Sequence, residues 1–414
     1  MGRRLAIAVA VLALVPAGAA AASAGGAGKP ARSWAAGEIR SVTAAGLMGT
    51  QDAASFRPDD PLTAQALEDL VFGLKQTVFP PDPTPAPPPA YPPTDPVESS
   101  PSVPPGATTP GTTLPTTTLP ATTLPTTTVP ATTTTTPASP APAPAAPKQA
   151  TQPDAAVTMA QLDTRLVQAL GLSKAANEFA RGARAAGLEV PSRFGTEVVA
   201  RLLGLRTNHP AEEDSLELLP GDHATRAEAA YSAAQVLRFS GWEVAAVQSL
   251  ADEFGLPELT NWQTRILDTA VARIGMPYVW GGTSDGPETD FGISARGGYD
   301  CSGFVWRVYK LAQYPASGSL PLVLRGRTTY EMSGEVPRSQ RIGLANLQPA
   351  DVIFFGDRGP RSQPTQVGHM GIYVGNGWFI HSSGDGVALA TLDRRYRREF
   401  AWARRPLAEA RLSG

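Results

Sequence analysis

The chain has 414 residues, with 35 basic side chains against 37 acidic ones and a formal net charge of −2 at pH 7. A balance this close to neutral leaves no global case for nucleic-acid binding. A single cysteine, Cys301, rules out an internal disulfide framework and leaves one thiol to be explained.

Residues 1–24 have the three-part pattern of a secretory signal. Arg3 and Arg4 precede an apolar run from Leu5 to Leu14, then Pro16, then the small residues Ala22, Ser23 and Ala24. The apolar run is shorter than the roughly 20 residues that a membrane-spanning helix needs. The expected product is a secreted protein with no membrane span after cleavage; the competing reading is an uncleaved anchor.

Residues 33–78 read as helical, with one segment over 33–49 and another starting near Thr63. From 80 to 153 the chain is dominated by Pro, Thr and Ala, and Leu114, Leu119, Leu124 and Val129 each stand before a proline. No periodicity there offers a face to bury, so the segment is expected to be a disordered linker. Helical signals return over 157–255. Thr158 with Gln161 and Thr225 with Glu228 have capping-box spacing, and Leu162, Leu166 and Leu170 follow at helical spacing.

These helical pieces resemble S-layer homology repeats. The resemblance rests on Trp34, Ala35 and Ile39, on Ala45-Gly46-Leu47, on Phe56-Arg57-Pro58, and on three Thr-led helices. The third carries Thr225-Arg226-Ala227-Glu228 intact. The first two depart from it, as Thr63-Ala64-Gln65-Ala66 and Thr158-Met159-Ala160-Gln161. The resemblance implies an all-α region whose partner is a secondary cell-wall polymer.

From 259 to 408 the composition shifts toward aromatics and glycine. Trp262, Ile266, Ala270 and Ile274 mark one face of a helix that Gly275 stops, and Pro277, Tyr278, Trp280, Gly281 and Gly282 follow. A helix then starts near Asp300 or Cys301, with Phe304, Val305, Val308 and Leu311 at helical spacing. A thiol there meets unsatisfied amides that favour thiolate and can stabilise an oxyanion.

Such a nucleophile needs a base. Of four histidines, His209 and His223 fall in the helical region, whereas His369 and His381 flank Gly375-Asn376-Gly377 in a β-hairpin pattern. A three-residue loop pairs Val374 with Trp378 and Gly371 with His381, which puts both histidines on one face. A two-residue Asn-Gly loop would separate them. On the first register, Cys301 attacks a carbonyl, His369 moves the proton and His381 orients His369. The same three residues are also a possible zinc set, although an acid beside the thiol fits a nucleophile better. Six arginines between Arg394 and Arg405 read as a solvated edge, with attraction to an anionic polymer as the alternative.

The blocks "GMPYVWGG" (275–282), "DCSGFVWRVY" (300–309), "QPADVIFF" (348–355) and "GHMGIYVGNGWFIHSS" (368–383) together resemble NlpC-type, papain-like cysteine peptidases of bacterial cell walls. The resemblance implies an α+β fold with a helix packed on an antiparallel sheet. It implies catalytic Cys301, His369 and His381, and oxyanion or substrate contacts at Tyr278, Asp300, Ser302 and Trp280, without a cofactor. The implied substrate is the peptidoglycan stem peptide, cut between D-glutamate and diaminopimelate. Two departures stand out: an insertion over 283–299, expected to be a loop beside the groove, and Ala350 in place of the usual glycine. A wall-binding or adhesion protein with an inactive scaffold, or a thiol-dependent acyl or amide transferase, are the competing functions.

Overall fold

Three threonines open the three helices that organise the N-terminal half. The computed structural model describes residues 33–49, 53–78 and 146–412, so the signal segment and most of the linker lie outside the described residues. The helices are α1 (Ala36–Ala44), α2 (Ala53–Phe56), α3 (Ala64–Val78), α4 (Met159–Ala169), α5 (Ser173–Ala185), α6 (Phe194–Leu202), α7 (Arg226–Leu237) and α8 (Trp242–Asp252). Thr63, Thr158 and Thr225 each accept a hydrogen bond from the amide three residues on, at 3.2, 3.3 and 3.2 Å. Only Thr158 has the reciprocal half of a capping box, through Gln161. The Glu228 carboxylate is buried in the helical core.

The approaches to these helices are stitched into a ring. Leu62 N donates to Ala224 O at 2.8 Å, Ala224 N to Val157 O at 2.9 Å, and Val157 N to Leu62 O at 3.0 Å. A second set repeats the pattern: Ala64 to Ala155, Met159 to Asp222, and Arg226 to Asp60. Amides that a helix start would leave unsatisfied thus find carbonyls on the neighbouring approach, with approximate threefold correspondence. A proline stands five residues before each threonine, at Pro58, Pro153 and Pro220. Residues 33–78 and 148–412 belong to one compact unit. Lys148 and Ala150 bond the Gln65 side chain, and Pro153 O accepts the Gln65 amide. The segment 148–153, read as linker from composition, is therefore part of the helical body.

Helix α9 (Asn261–Val271) has a complete Thr260/Gln263 capping box, and Gly275, at φ 97°, turns the chain beyond it. The insertion is not a plain loop. It forms a short ladder of β1 (Thr283–Ser284) with β4 (Gly298–Tyr299), enclosing a hairpin of β2 (Glu288–Asp290) and β3 (Ile293–Ala295). Next come α10 (Cys301–Trp306), a π-helical turn over Arg307–Leu311, α11 (Leu320–Val323) and α12 (Thr329–Gly334). Phe304, Val305 and Val308 are buried as their spacing implies, but Leu311 is exposed because the wider turn rotates it outward.

The sheet comprises β5 (Val352–Gly356), β6 (Val367–Gly375), β7 (Trp378–Ser383), β8 (Gly386–Thr391) and β9 (Phe400–Arg404). Its order is β8-β7-β6-β5-β9, antiparallel throughout. Helix α13 (Arg394–Glu399) precedes β9, and α14 (Pro406–Glu409) follows it. Strand β5 alternates between two cores. Val352 and Phe354 join the main cluster shared with α10 and the helical body, while Ile353 and Phe355 join a second with Phe379, Leu392 and Phe400. The domain is thus α+β, with a helix packed on an antiparallel sheet.

The arginine-rich end is only partly a solvated edge. Arg404 is 3% exposed and pairs with Glu335 at 2.8 Å and with Glu409, and Arg405 grips the buried Asp351 carboxylate. Ala350 sits at φ 67°, a left-handed conformation in which a Cβ costs roughly 1–2 kcal/mol. Ala350→Gly is therefore expected to stabilise the fold by about 1 kcal/mol, net of the entropy glycine adds to the unfolded chain. A urea midpoint that stays put or falls would show the strain is absorbed elsewhere.

Candidate active site

Helix α10 places Cys301 at its first residue, capped by Asp300. The Asp300 carboxylate accepts the Gly303 amide through Oδ1, as an N-cap does, and the Gly281 amide through Oδ2 at 3.1 Å. The helix start and the Gly281-Gly282 wall are in intimate contact, since a Cβ at Gly303 would collide with the Gly282 carbonyl oxygen. Arg327, from the segment before α12, completes the clamp. Its guanidinium reaches Asp300 at 3.2 Å, Ser302 Oγ at 2.7 Å and the Gly281 carbonyl at 2.6 Å. The sequence offered no signal for Arg327 beyond its place before the Thr328/Glu331 capping box.

The thiol does not rest as a thiolate. Burial, then the Asp300 charge, pushes Cys301 up to about 12, and the Ser302 and Met370 amides and Arg327 only partly oppose this. The helix-start effect expected from sequence is present but outweighed, because desolvation penalises an isolated sulfur anion more than two amides repay. The Met370 contact sets the thiol against β6, one residue from His369.

The histidine pair forms, by a route the loop-length argument did not foresee. The turn is the two-residue Asn376-Gly377, with φ 48° and 82°, and Gly375 pairs with Trp378. A bulge at Val374 then restores the register, so that Tyr373 pairs with Phe379 and Ile372 with Ile380. His369 and His381 consequently share a face, with His369 Nε2 and His381 Nδ1 2.7 Å apart. Phe355 stacks on His369, and Phe379 and Tyr396 pack on His381.

Burial, helped by Arg395, lowers His369 to about 4, and burial with His369 beside it drives His381 well below its ordinary value. At neutral pH the centre therefore holds a neutral thiol and two neutral imidazoles. If the Nε2 proton of His369 goes to His381 Nδ1, the other nitrogen, Nδ1, is left as the acceptor for a thiol proton. With His369 as the base, the acid limb of kcat/KM against pH is expected well below 6.5, near 4, where His369 takes up its proton. A limb at or above 6.5 would contradict the buried, neutral pair.

The four remaining candidates divide. Tyr278 lies beside Cys301, and burial together with Cys301 and Asp300 raises its phenol above the usual value, so it stays a hydrogen-bond donor. The Trp280 ring is exposed on the same wall. The Asp300 and Ser302 side chains are instead absorbed by Arg327 and by each other, at 2.8 Å. Of Ser302, the backbone amide meets the thiol.

Residues 275–405 match the model of the NlpC/P60 family. The chain is 32% identical over 133 residues to the probable peptidoglycan endopeptidase LytE of Bacillus subtilis (strain 168), covering 32% of this chain and 31% of LytE. It is 31% identical over 126 residues to the probable endopeptidase Rv2190c of Mycobacterium tuberculosis (strain ATCC 25618 / H37Rv), covering 30% of this chain and 24% of that protein. It is 31% identical over 178 residues to the murein DD-endopeptidase MepS/murein LD-carboxypeptidase of Escherichia coli (strain K12), covering 42% of this chain and 79% of MepS. The chain thus spans a third or less of the first two relatives and about four-fifths of the third.

Proposed function

The chain belongs to the NlpC/P60 family, and we propose that it is an exported cysteine endopeptidase acting on peptidoglycan stem peptides. The observation that carries the reading is the His369–His381 pair at 2.7 Å, on the strand whose Met370 amide touches the Cys301 thiol. In this mechanism His369 takes the thiol proton as sulfur attacks the peptide carbonyl, and the Tyr278 hydroxyl and the Ser302 amide donate to the oxyanion. His369 returns the proton to the leaving amine, and a water then releases the acyl group from sulfur by the same base. His381 holds the tautomer and ring orientation. The proposed bond is D-glutamyl-diaminopimelate. One relative, MepS, is a murein DD-endopeptidase by name, so product masses decide between the two bonds.

Digestion of purified peptidoglycan by the full chain and by Cys301→Ala, with released muropeptides identified by mass spectrometry, tests the reading. Products from the wild type alone support it. Equal release from both overturns it and favours the inactive wall-binding scaffold. Transfer of the acyl group to an added amine in place of water favours the transferase.

For the helical body we propose wall-polymer binding. The support is the threefold ring of Thr-led helices together with Arg226, which reaches the carbonyls of Phe56 and Met48 beside a groove lined by Gly46, Leu47 and Gly73. Cosedimentation with isolated wall polymer that is unaffected by Arg226→Ala would remove that role.

A further inference from the structure

The wall that carries Tyr278 and Trp280 has two edges, and different parts of the fold supply them. On the inner edge, the Val279 amide donates to Tyr299 O at 3.3 Å, and Pro277 O accepts the Tyr299 amide at 3.1 Å. These bonds stay within the peptidase part. The outer edge is closed by side chains from the segment between α6 and α7 of the helical body. There Asn208 Nδ2 donates to Tyr278 O at 2.6 Å, while Asn208 Oδ1 accepts the Tyr278 amide at 3.4 Å. Asp214, itself 3% exposed, accepts the Trp280 amide through Oδ2 at 2.9 Å. The Asn208 carboxamide thus does for Tyr278 what a neighbouring strand's peptide group would do, pairing with its N–H and its C=O together.

Tyr278 is the residue whose placement catalysis depends on, because a donor helps only if it meets the position the oxyanion will occupy. The amides of Tyr278 and Trp280 have no partner from the sheet. With those bonds lost, the wall stays attached through the Pro277 and Val279 bonds to Tyr299 and the Gly281-Gly282 clamp. The bonds formed by Asn208 and Asp214 bind the helical body to the active-site wall. The same segment also packs on the inserted hairpin, where Ala211, Glu212 and Asp214 meet Trp280, Asp290, Phe291 and Ile293 around one cavity.

We propose that Asn208 is a positioning residue of the peptidase centre: through its two-point grip on the Tyr278 backbone, the helical body sets where the Tyr278 hydroxyl stands relative to Cys301. The helical body is thereby a working part of the active site as well as an attachment module. The proposal rests on the peptidase reading and on Tyr278 as an oxyanion donor.

The test uses the full chain, soluble muropeptides from digested wall as substrate, and four proteins: wild type, Asn208→Ala, Tyr278→Phe and the double variant. Asn208→Ala is expected to lower kcat about 10- to 100-fold with KM changed less than about twofold, because a donor displaced by an ångström loses transition-state stabilisation. The double variant should be no slower than Tyr278→Phe alone, since a residue acting through another has nothing left to position. Alkylation of Cys301 by iodoacetamide, which needs no oxyanion donor, should proceed in Asn208→Ala at the wild-type rate. Unchanged kcat, multiplying effects in the double variant, or alkylation falling in step with kcat would each overturn the proposal. If Asn208→Ala does not melt cooperatively, Asn208→Asp replaces it, keeping the acceptor and losing the donor, and the same kcat loss is expected. A wild type that releases no product while its thiol alkylates normally would overturn the peptidase reading and this proposal with it. An active wild type with multiplying effects would overturn this proposal alone.

Discussion

Replacing His369 by alanine lowers turnover of wall peptides by about 10²–10⁴-fold, the range for loss of a positioned general base. The loss is large because the thiol has no other route to its reactive form. With Cys301 held up near 12, only a minute fraction is thiolate at neutral pH, and the proton must leave during attack. His381→Ala leaves the base in place but frees its ring, and a smaller loss is expected. His381→Asn, which keeps an acceptor for His369 Nε2, should recover part of it. Initial rates of muropeptide release at pH 7 measure all three. Equal activity in His369→Ala and the wild type would remove His369 from the mechanism.

The same pair makes stability depend on pH, with a definite sign. Folding lowers the His369 value from an ordinary 6.5 to about 4, and burial lowers His381 as well. Between those values the unfolded chain binds protons that the folded chain refuses. The stability linked to His369 is therefore fully present above 6.5 and is lost as pH falls through 4, on the order of 3 kcal/mol in all.

Arg201→Met costs about 3–5 kcal/mol of stability, the range for leaving one partner of a buried ion pair uncompensated. Arg201 lies on α6 with its side chain 3% exposed, and its Nε is 3.6 Å from Glu197 Oε2, also buried. Its two terminal nitrogens leave the helical body altogether. One donates to Gly275 O at 2.6 Å and the other to Asp385 O, just beyond the strand that carries His381. Gly275 is required at that crossing, since a Cβ there would lie 2.6 Å from the Glu197 carboxyl carbon. Methionine fills similar volume without the charge, so the cost isolates the ion pair and the two carbonyl bonds. Urea unfolding of both proteins measures it. A difference below about 1 kcal/mol would show that Glu197 is relieved by another partner.

Local signals carried much of this molecule. The threonine caps, Gly275 as a helix stop, and the spacing of Phe304, Val305 and Val308 act within a turn or two, so they read directly from the chain. That His369 and His381 flank one hairpin was likewise findable, because Gly375-Asn376-Gly377 marks a turn between two strand-like runs, but their shared face was predicted from a three-residue loop that does not form. The residue at Val374 was not findable. A bulge is decided by how β6 fits both β5 and β7, and without it the parity argument with the observed turn gives the wrong face.

What the sequence determined by itself is the order of the parts and the identity of the candidate groups: a helical region, then a thiol at a helix start, then two histidines on one hairpin. These follow from caps, periodicity and residue chemistry, whose reach is a few residues. Only the tertiary structure decided how those parts depend on one another. The ring joining Leu62, Val157 and Ala224, the Arg327 clamp on Asp300, the grip of Asn208 on Tyr278, and the reach of Arg201 to Gly275 and Asp385 all link residues distant along the chain. So did the protonation of the centre, because a helix start favours a thiolate by a modest local field, whereas burial acts through everything packed around the sulfur.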